Sequence, residues 1–218
     1  MRTELPRVML AGTHSGCGKT TVTCAVLQAL TDRGLRTGAF KCGPDYIDPM
    51  FHREIIGAKS GNLDLFLCGE KAVRYLLARN GADRDVCVIE GVMGYYDGLG
   101  LTTMRAGAYD TAAVTGSPAV LVIDARGAAL SVAAVLGGFL DMVEDSRIRG
   151  VILNRCSAST YAALAPVMEE RFRGAVRPLG YMPPMPDCGL ESRHLGLVTA
   201  AEVEDLRDKL RRLAAQAE

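Results

Sequence analysis

Short apolar segments alternate with longer helical patterns along almost the whole of this 218-residue sequence. Several of the apolar segments lack polar alternation, which is typical of strands buried on both faces. The predicted strands are residues 8–11, 37–41, 86–90, 119–124, 150–154 and 177–181, and the predicted helices are residues 20–33, 71–80, 129–143, 161–172 and 200–217. This alternation predicts an α/β three-layer sandwich in which a mainly parallel sheet lies between two layers of helices.

A glycine-rich segment, AGTHSGCGKTT at residues 11–21, joins the first predicted strand to the first predicted helix. Its glycines let backbone N–H groups converge on phosphate oxygens, and the helix N-terminus adds a favourable dipole. Lys19 can reach the β- and γ-phosphates of a nucleotide, and the Thr20 hydroxyl is placed to ligate Mg²⁺. The strict P-loop pattern has its first glycine at position 13, whereas this chain has Thr13 there and Gly12 before it. The segment predicts a P-loop NTPase fold that binds ATP and Mg²⁺ through Gly12, Thr13, His14, Ser15, Gly16, Cys17, Gly18, Lys19, Thr20 and Thr21.

Two further segments place a lysine and four carboxylates after the second and third predicted strands. These residues, together with a tyrosine between two of the carboxylates, are Lys41, Asp45, Tyr46, Asp48, Glu90 and Asp97. The carboxyl ends of parallel strands meet at one edge of a sheet, so we expect these side chains beside the phosphates. Mg²⁺ prefers oxygen ligands, and cations neutralise charge on a transferred phosphoryl group. Asp is also common in turns without any catalytic role, so that alternative stays open for each aspartate alone.

Four separated segments, GTHSGCGKTTVT, KCGPDYIDPMFH, IEGVMGYYDG and ESRHLGLV, resemble the N-terminal domain of the cobyrinic acid a,c-diamide synthase family. The variant glycine-rich loop is similar to those of dethiobiotin synthetase and the MinD/ParA ATPases. The resemblance implies ATP-dependent amidation of the a and c acetate carboxylates of cobyrinate, a tetrapyrrole polycarboxylate, through an acyl phosphate in cobalamin biosynthesis. It leaves two alternatives open: a nickel-sirohydrochlorin a,c-diamide synthase of the same family, and a MinD/ParA-like ATPase switch. His14, where the switch proteins usually carry an extra lysine, argues against the second.

The resemblance also implies roles for individual residues. Catalysis is expected from Lys19, Lys41, Asp45, Asp48, Glu90 and Asp97, and Mg²⁺ ligation from Thr20, Asp45 and Glu90. Asn154 is a candidate for reading adenine, although it could instead be a turn residue at a strand end. Substrate contacts are expected from Tyr46, Asp48, Asp97, Ser192, Arg193 and His194, the last three of which could equally lie in a solvated loop.

Residues 1–218 are predicted to form a single domain, while members of the resembling family usually continue into a glutamine amidotransferase domain. We therefore expect ammonia to come from a glutaminase domain or subunit outside this chain, or from solution. The resemblance also implies a homodimer. These expectations concern partners, on which the motifs themselves carry no information.

The composition excludes several other classes of function. With 25 basic and 25 acidic side chains the formal net charge is zero, which argues against a nucleic-acid partner. The apolar segments are all shorter than the roughly 18 residues of a membrane span, so no membrane partner is expected. Seven cysteines without a CxxC pair are best explained as small apolar residues in a reducing compartment, which predicts a cytoplasmic protein.

Overall fold

The computed structural model describes residues 5–188 and 200–217, and its central feature is a seven-stranded sheet. Every strand pairs parallel to its neighbours, in the order β3-β2-β4-β1-β5-β6-β7. The strands are β1 (Arg7–Gly12), β2 (Thr37–Cys42), β3 (Lys59–Leu63), β4 (Val86–Gly94), β5 (Ala119–Asp124), β6 (Ile148–Asn154) and β7 (Arg177–Met182). All carboxyl ends therefore lie along one edge, which we call the carboxyl edge.

Helices cover both faces of the sheet, as predicted. One face packs against α1 and α7 through residues such as Leu27 and Leu210, and the other packs against α3 to α6 through residues such as Val73 and Leu136. The helices are α1 (Lys19–Asp32), α2 (Ile47–Met50), α3 (Leu65–Gly81), α4 (Ala108–Thr115), α5 (Ser131–Asp141), α6 (Ala158–Arg171) and α7 (Ala200–Ala214), with a π-helical turn at Phe51–Ile55. None of the described helices is long and apolar enough to cross a bilayer.

The structure corrects the sequence-based prediction at three elements. Residues 42–69, predicted as one long loop, contain α2, the π-helical turn and β3, and the eight-residue helix α4 was not predicted. Strand β3 has the sequence KSGNL and lies at the edge of the sheet, so most of it stays partly exposed and no apolar run marks it. Helix α3 begins six residues before the predicted position, where the Asp64 carboxylate caps it by accepting the N–H groups of Phe66 and Leu67.

An aromatic cluster anchors the loop that follows β4. Tyr95 is completely buried, and its hydroxyl donates a 2.7 Å hydrogen bond to the Ser146 carbonyl oxygen. The Tyr96 hydroxyl donates a 2.6 Å bond to the Phe139 carbonyl oxygen, and the two rings stack with centroids 5.5 Å apart. Because Asp97 comes directly after these tyrosines, the cluster holds the loop that carries this carboxylate.

Replacing Tyr95 by Phe should test this anchor. The Tyr95→Phe ring keeps the packing but removes the donor to the buried Ser146 carbonyl, which should lower the free energy of unfolding by about 1 to 2 kcal/mol. Urea denaturation measures the change, and Tyr75→Phe, at an exposed tyrosine of α3, is the matched control. Equal stability of the two variants would contradict the role of the hydroxyl.

Candidate functional site

The glycine-rich segment forms the turn from β1 into α1. Gly16 and Gly18 have φ angles of 84° and 91°, in the left-handed region that favours glycine, and Gly18 is the N-cap of α1. A Cβ atom on Gly18 would lie 1.9 Å from Nδ2 of Asn154, so a side chain cannot be accommodated there. Lys19 is the first residue of α1 and is mostly buried. The local geometry is that of a loop whose backbone is free to surround phosphate groups.

Asn154 lies at the end of β6, against this loop. Its side-chain amide donates a 2.8 Å hydrogen bond to the Cys17 carbonyl oxygen. Together with Thr21, Arg155 and Pro183 it lines a small cavity of about 90 Å³. Asn154 therefore supports the glycine-rich loop directly, and its predicted contact with adenine remains a prediction.

A buried lysine joins two neighbouring strands at the carboxyl edge. Lys41 of β2 lies directly opposite Glu90 of β4 in the strand register, and its Nζ donates a 2.9 Å hydrogen bond to Glu90 Oε1. The same Nζ lies 2.5 Å from Asp48 Oδ2 and 3.9 Å from Asp45 Oδ2. The Lys41 and Asp48 side chains are almost completely buried and Glu90 is fully buried, whereas Asp45 is about one-third exposed. Four of the predicted catalytic side chains are thus brought together.

Glu90 also contacts the phosphate loop side of the site. The Thr20 hydroxyl donates a 2.6 Å hydrogen bond to Glu90 Oε1. His52, which is completely buried, places Nε2 at 3.2 Å from Glu90 Oε2, but the orientation does not make a regular hydrogen bond. One oxygen of this buried carboxylate therefore lacks a hydrogen-bond donor among the described residues. Buried polar atoms of this kind are uncommon, and they concentrate where a ligand binds.

The charges of this cluster follow from burial and from close partners. Burial disfavours ionised Glu90, but Lys41, His52 and Thr20 together hold the pKa of Glu90 well below its usual range. Burial likewise opposes the charge of Lys41, but Glu90 and Asp48 raise the pKa of Lys41 above its usual value. Burial and then Glu90 raise the pKa of Asp48 to about 6, against the opposing effect of Lys41. The Lys41–Glu90 pair is charged at neutral pH, and Asp48 is the member closest to a change of charge.

Asp45 and Asp97 both shape the turns in which they lie. Asp45 Oδ1 accepts the N–H groups of Ile47 at 2.8 Å and Asp48 at 3.3 Å. Asp97 Oδ2 accepts the N–H of Gly94 at 2.8 Å. A Cβ atom on Gly94 would meet Asp97 Oδ2 and the Thr13 carbonyl oxygen, so Asp97 lies beside the start of the glycine-rich loop and not in the Lys41 cluster. The turn role is observed for both aspartates, and their catalytic roles remain predictions.

The donor atoms fit a magnesium ion that is held mainly by phosphate and water. Thr20 Oγ1 and Glu90 Oε1 are 2.6 Å apart, and Glu90 Oε2 has no hydrogen-bond donor. Within residues 5–188 and 200–217 there is no group of three or more His, Cys, Asp or Glu side chains that could hold a metal by itself. Mg²⁺ usually takes only one or two protein carboxylates beside substrate phosphates, so this donor set agrees with the predicted ion. Asp45 is the weakest of its three predicted ligands, because one of its oxygens already accepts two backbone N–H groups.

The other predicted site residues divide into two groups. Tyr46 is exposed at the carboxyl edge, beside the Lys41 cluster. Ser192, Arg193 and His194 lie outside the described residues, so their predicted substrate contacts remain predictions.

Sequence reasoning missed three residues at this edge. His52 packs on Glu90, and its place in the KCGPDYIDPMFH segment was the available signal. Arg155 donates hydrogen bonds to the Gly16 carbonyl oxygen and to Asp124 Oδ2, and it has a left-handed backbone with a φ of 55°. Its position directly after Asn154 could have marked it. Asp124 ends β5, where a strand-end carboxylate could have been expected.

The sequence matches the CobQ/CobB/MinD/ParA nucleotide binding domain over residues 8–197. The chain belongs to this family. The match confirms the prediction of a nucleotide-binding domain, and the family includes both biosynthetic enzymes and the MinD/ParA proteins. It therefore does not by itself distinguish a synthase from a switch.

Within the family, the chain is similar to proteins named cobyrinate a,c-diamide synthase. That of Thermoplasma volcanium is 44% identical over 212 residues, which are 97% of this chain and 46% of that protein. That of Clostridium acetobutylicum is 42% identical over 203 residues, which are 93% of this chain and 46% of that protein. The resemblance drawn from the four motifs is confirmed. The chain spans about half the length of the curated relatives it matches.

Solved structures with a similar fold include two FtsY proteins. The signal recognition particle receptor FtsY from Elizabethkingia anophelis has a TM-score of 0.60 at 13% identity, covering 96% of this chain and 66% of that chain. The cell division protein FtsY from Thermotoga maritima has a TM-score of 0.58 at 17% identity, covering 96% of this chain and 69% of that chain. At these identities the likeness shows the α/β fold alone.

Removing the cation of the buried cluster should be strongly destabilising. In Lys41→Met, Glu90 and Asp48 would remain buried without their positive partner, and we expect the free energy of unfolding to fall by about 3 to 5 kcal/mol. The control is Lys59→Met, whose exposed ion pair with Asp83 should be worth less than about 1 kcal/mol. Urea unfolding of both variants measures the difference. Similar values for the two would show that the Lys41 charge does not hold the cluster together.

Proposed function

We propose that the chain is an ATP-dependent synthetase domain that activates the a and c acetate carboxylates of cobyrinate for amidation. The observation that carries the proposal is the hydrogen bond from Thr20, in the first turn of α1, to Glu90, which is itself paired with Lys41. It joins a nucleotide-binding loop to a cluster of carboxylates and a lysine. The names of the relatives, at 40–44% identity, support the choice of substrate.

In the proposed first step, a substrate carboxylate oxygen attacks the γ-phosphorus of ATP. The bond from that phosphorus to the bridging oxygen breaks, and ADP leaves with the electron pair. The backbone N–H groups of the glycine-rich loop and the Lys19 ammonium bind the phosphates. Lys41, a permanent cation in a water-poor site, stabilises the negative charge that develops on the oxygens in flight. When bound at Thr20 and Glu90, Mg²⁺ supplies further neutralisation of the phosphates.

In the proposed second step, the nitrogen of ammonia attacks the carbonyl carbon of the acyl phosphate. The bond from that carbon to the phosphate oxygen breaks, phosphate leaves, and the nitrogen gives up one proton. Asp48, whose pKa is raised to about 6, is the carboxylate in the cluster best suited to accept that proton near neutral pH. We assign the supply of ammonia to a glutaminase domain or subunit outside these 218 residues.

The proposed function predicts that ATP hydrolysis depends on the tetrapyrrole. With ammonium as the nitrogen donor, ADP release should rise at least tenfold on addition of cobyrinate, and mass spectrometry should detect its mono- and diamide. ADP release that is equally fast without cobyrinate would contradict the synthetase and favour a switch ATPase. Amide formation on nickel sirohydrochlorin and not on cobyrinate would replace the substrate and keep the chemistry.

Lys19 should be essential for nucleotide binding. We expect Lys19→Ala to raise the dissociation constant for ATP by more than about a hundredfold, because the loop loses its phosphate-binding cation. Isothermal titration calorimetry measures this constant, and Lys71→Ala, at an exposed position of α3, should leave it unchanged. An unchanged ATP affinity in Lys19→Ala would rule out the assigned role.

A further inference from the structure

Large apolar side chains are exposed in three neighbouring loops at the carboxyl edge. They follow β2, β3 and β4, which are adjacent in the sheet, and they flank the Lys41 cluster. We call this set the apolar rim: Tyr46, Phe66, Leu67, Leu99 and Leu101. Single exposed apolar residues are ordinary on protein surfaces, but a group of them around a polar site marks a binding surface.

Local hydrogen bonds hold two of these loops close together. The Asn62 amide at the end of β3 donates to the carbonyl oxygens of Gly43 at 2.9 Å and Asp45 at 2.5 Å. The loop that carries Tyr46 is thereby tied to the loop that leads into α3. Asp64 then fixes the first turn of α3 through the N–H groups of Phe66 and Leu67. The exposed rings and the leucine are therefore presented from a fixed backbone.

The third loop carries the most exposed apolar side chain together with a cation. Leu101 is fully exposed, and the Leu99 N–H donates a 2.9 Å bond to the Arg105 carbonyl oxygen, which closes the loop on itself. The Arg105 side chain is exposed and makes no ion pair or hydrogen bond within residues 5–188 and 200–217. Folding of the described residues accounts for neither exposed group.

We propose that the apolar rim binds the hydrophobic face of the tetrapyrrole, with Arg105 contacting one of its peripheral carboxylates. This inference rests on the proposed function and deepens it by naming the substrate-binding surface. An amphipathic macrocycle matches both properties of the rim, since it offers a broad apolar face and a margin of negative charge. A macrocycle seated there lies beside Tyr46 and Asp45, which places its acetate groups next to the Lys41 cluster.

The test is a titration of cobyrinate, followed by its visible absorbance, against the 218-residue chain in the presence of a non-hydrolysable ATP analogue. Leu101→Ser should raise the dissociation constant for cobyrinate about tenfold, since burial of one leucine is worth at least that factor. Phe66→Ser should act in the same direction, and Arg105→Gln should weaken binding mainly at low salt. The matched control, Leu35→Ser, changes a leucine between α1 and β2 at the opposite edge and should bind cobyrinate normally. Affinity for ATP should stay within about twofold of the original in all four variants.

The outcomes separate the rim from the proposed function. If the original chain binds cobyrinate and neither Leu101→Ser nor Phe66→Ser weakens it, the rim proposal is wrong and the proposed function stands. If the original chain binds ATP but no cobyrinate, the proposed substrate is wrong and the rim proposal is lost with it. If light scattering shows a dimer that Leu101→Ser dissociates while cobyrinate binding is kept, the rim is an interface between two copies of this chain.

Discussion

A buried ion pair between two neighbouring strands, Lys41 of β2 and Glu90 of β4, links the separate parts of the candidate site. A buried charge is costly unless a partner compensates it, so each of these side chains requires the other. The pair extends on one side to Asp48 and on the other to Thr20 of the nucleotide-binding loop. The acidic turn after β2 is therefore positioned relative to the nucleotide by electrostatics and by the sheet register.

The arrangement uses a general property of parallel sheets. The phosphate loop follows β1 near the middle of the sheet, and the strands on either side contribute their carboxyl ends to the same edge. Glu90 comes from the strand next to β1, while Lys41 and the two aspartates come from the strand beyond it. On the other side, Asn154 and Arg155 reach the loop from β6. Side chains from distant parts of the sequence thereby surround one position.

Much of this could be predicted from the sequence, and the failures have physical causes. The glycine-rich loop and the buried strands carry strong local signals, because backbone freedom and continuous apolar runs are visible in the residues themselves. Strand β3 carries no such signal, since its residues are polar and its place is set by pairing with β2. His52 belongs to a recognisable segment, but nothing local shows that its ring packs against Glu90. Asp45 and Asp97 were assigned to chemistry, while their oxygens also hold the turns in which they lie.

The sequence by itself determined the fold class, the nucleotide-binding loop and the family, because these depend on spacing, glycine content and the order of short motifs. The tertiary structure alone decided which charged groups meet. Lys41 touches Glu90 and Asp48 but Asp97 does not join them, and one oxygen of Glu90 is left without a donor. It also decided that apolar side chains from three loops share one edge. Charges and exposed surfaces act over distances of a few ångströms, and only the pairing of strands brings residues so far apart in sequence within that range.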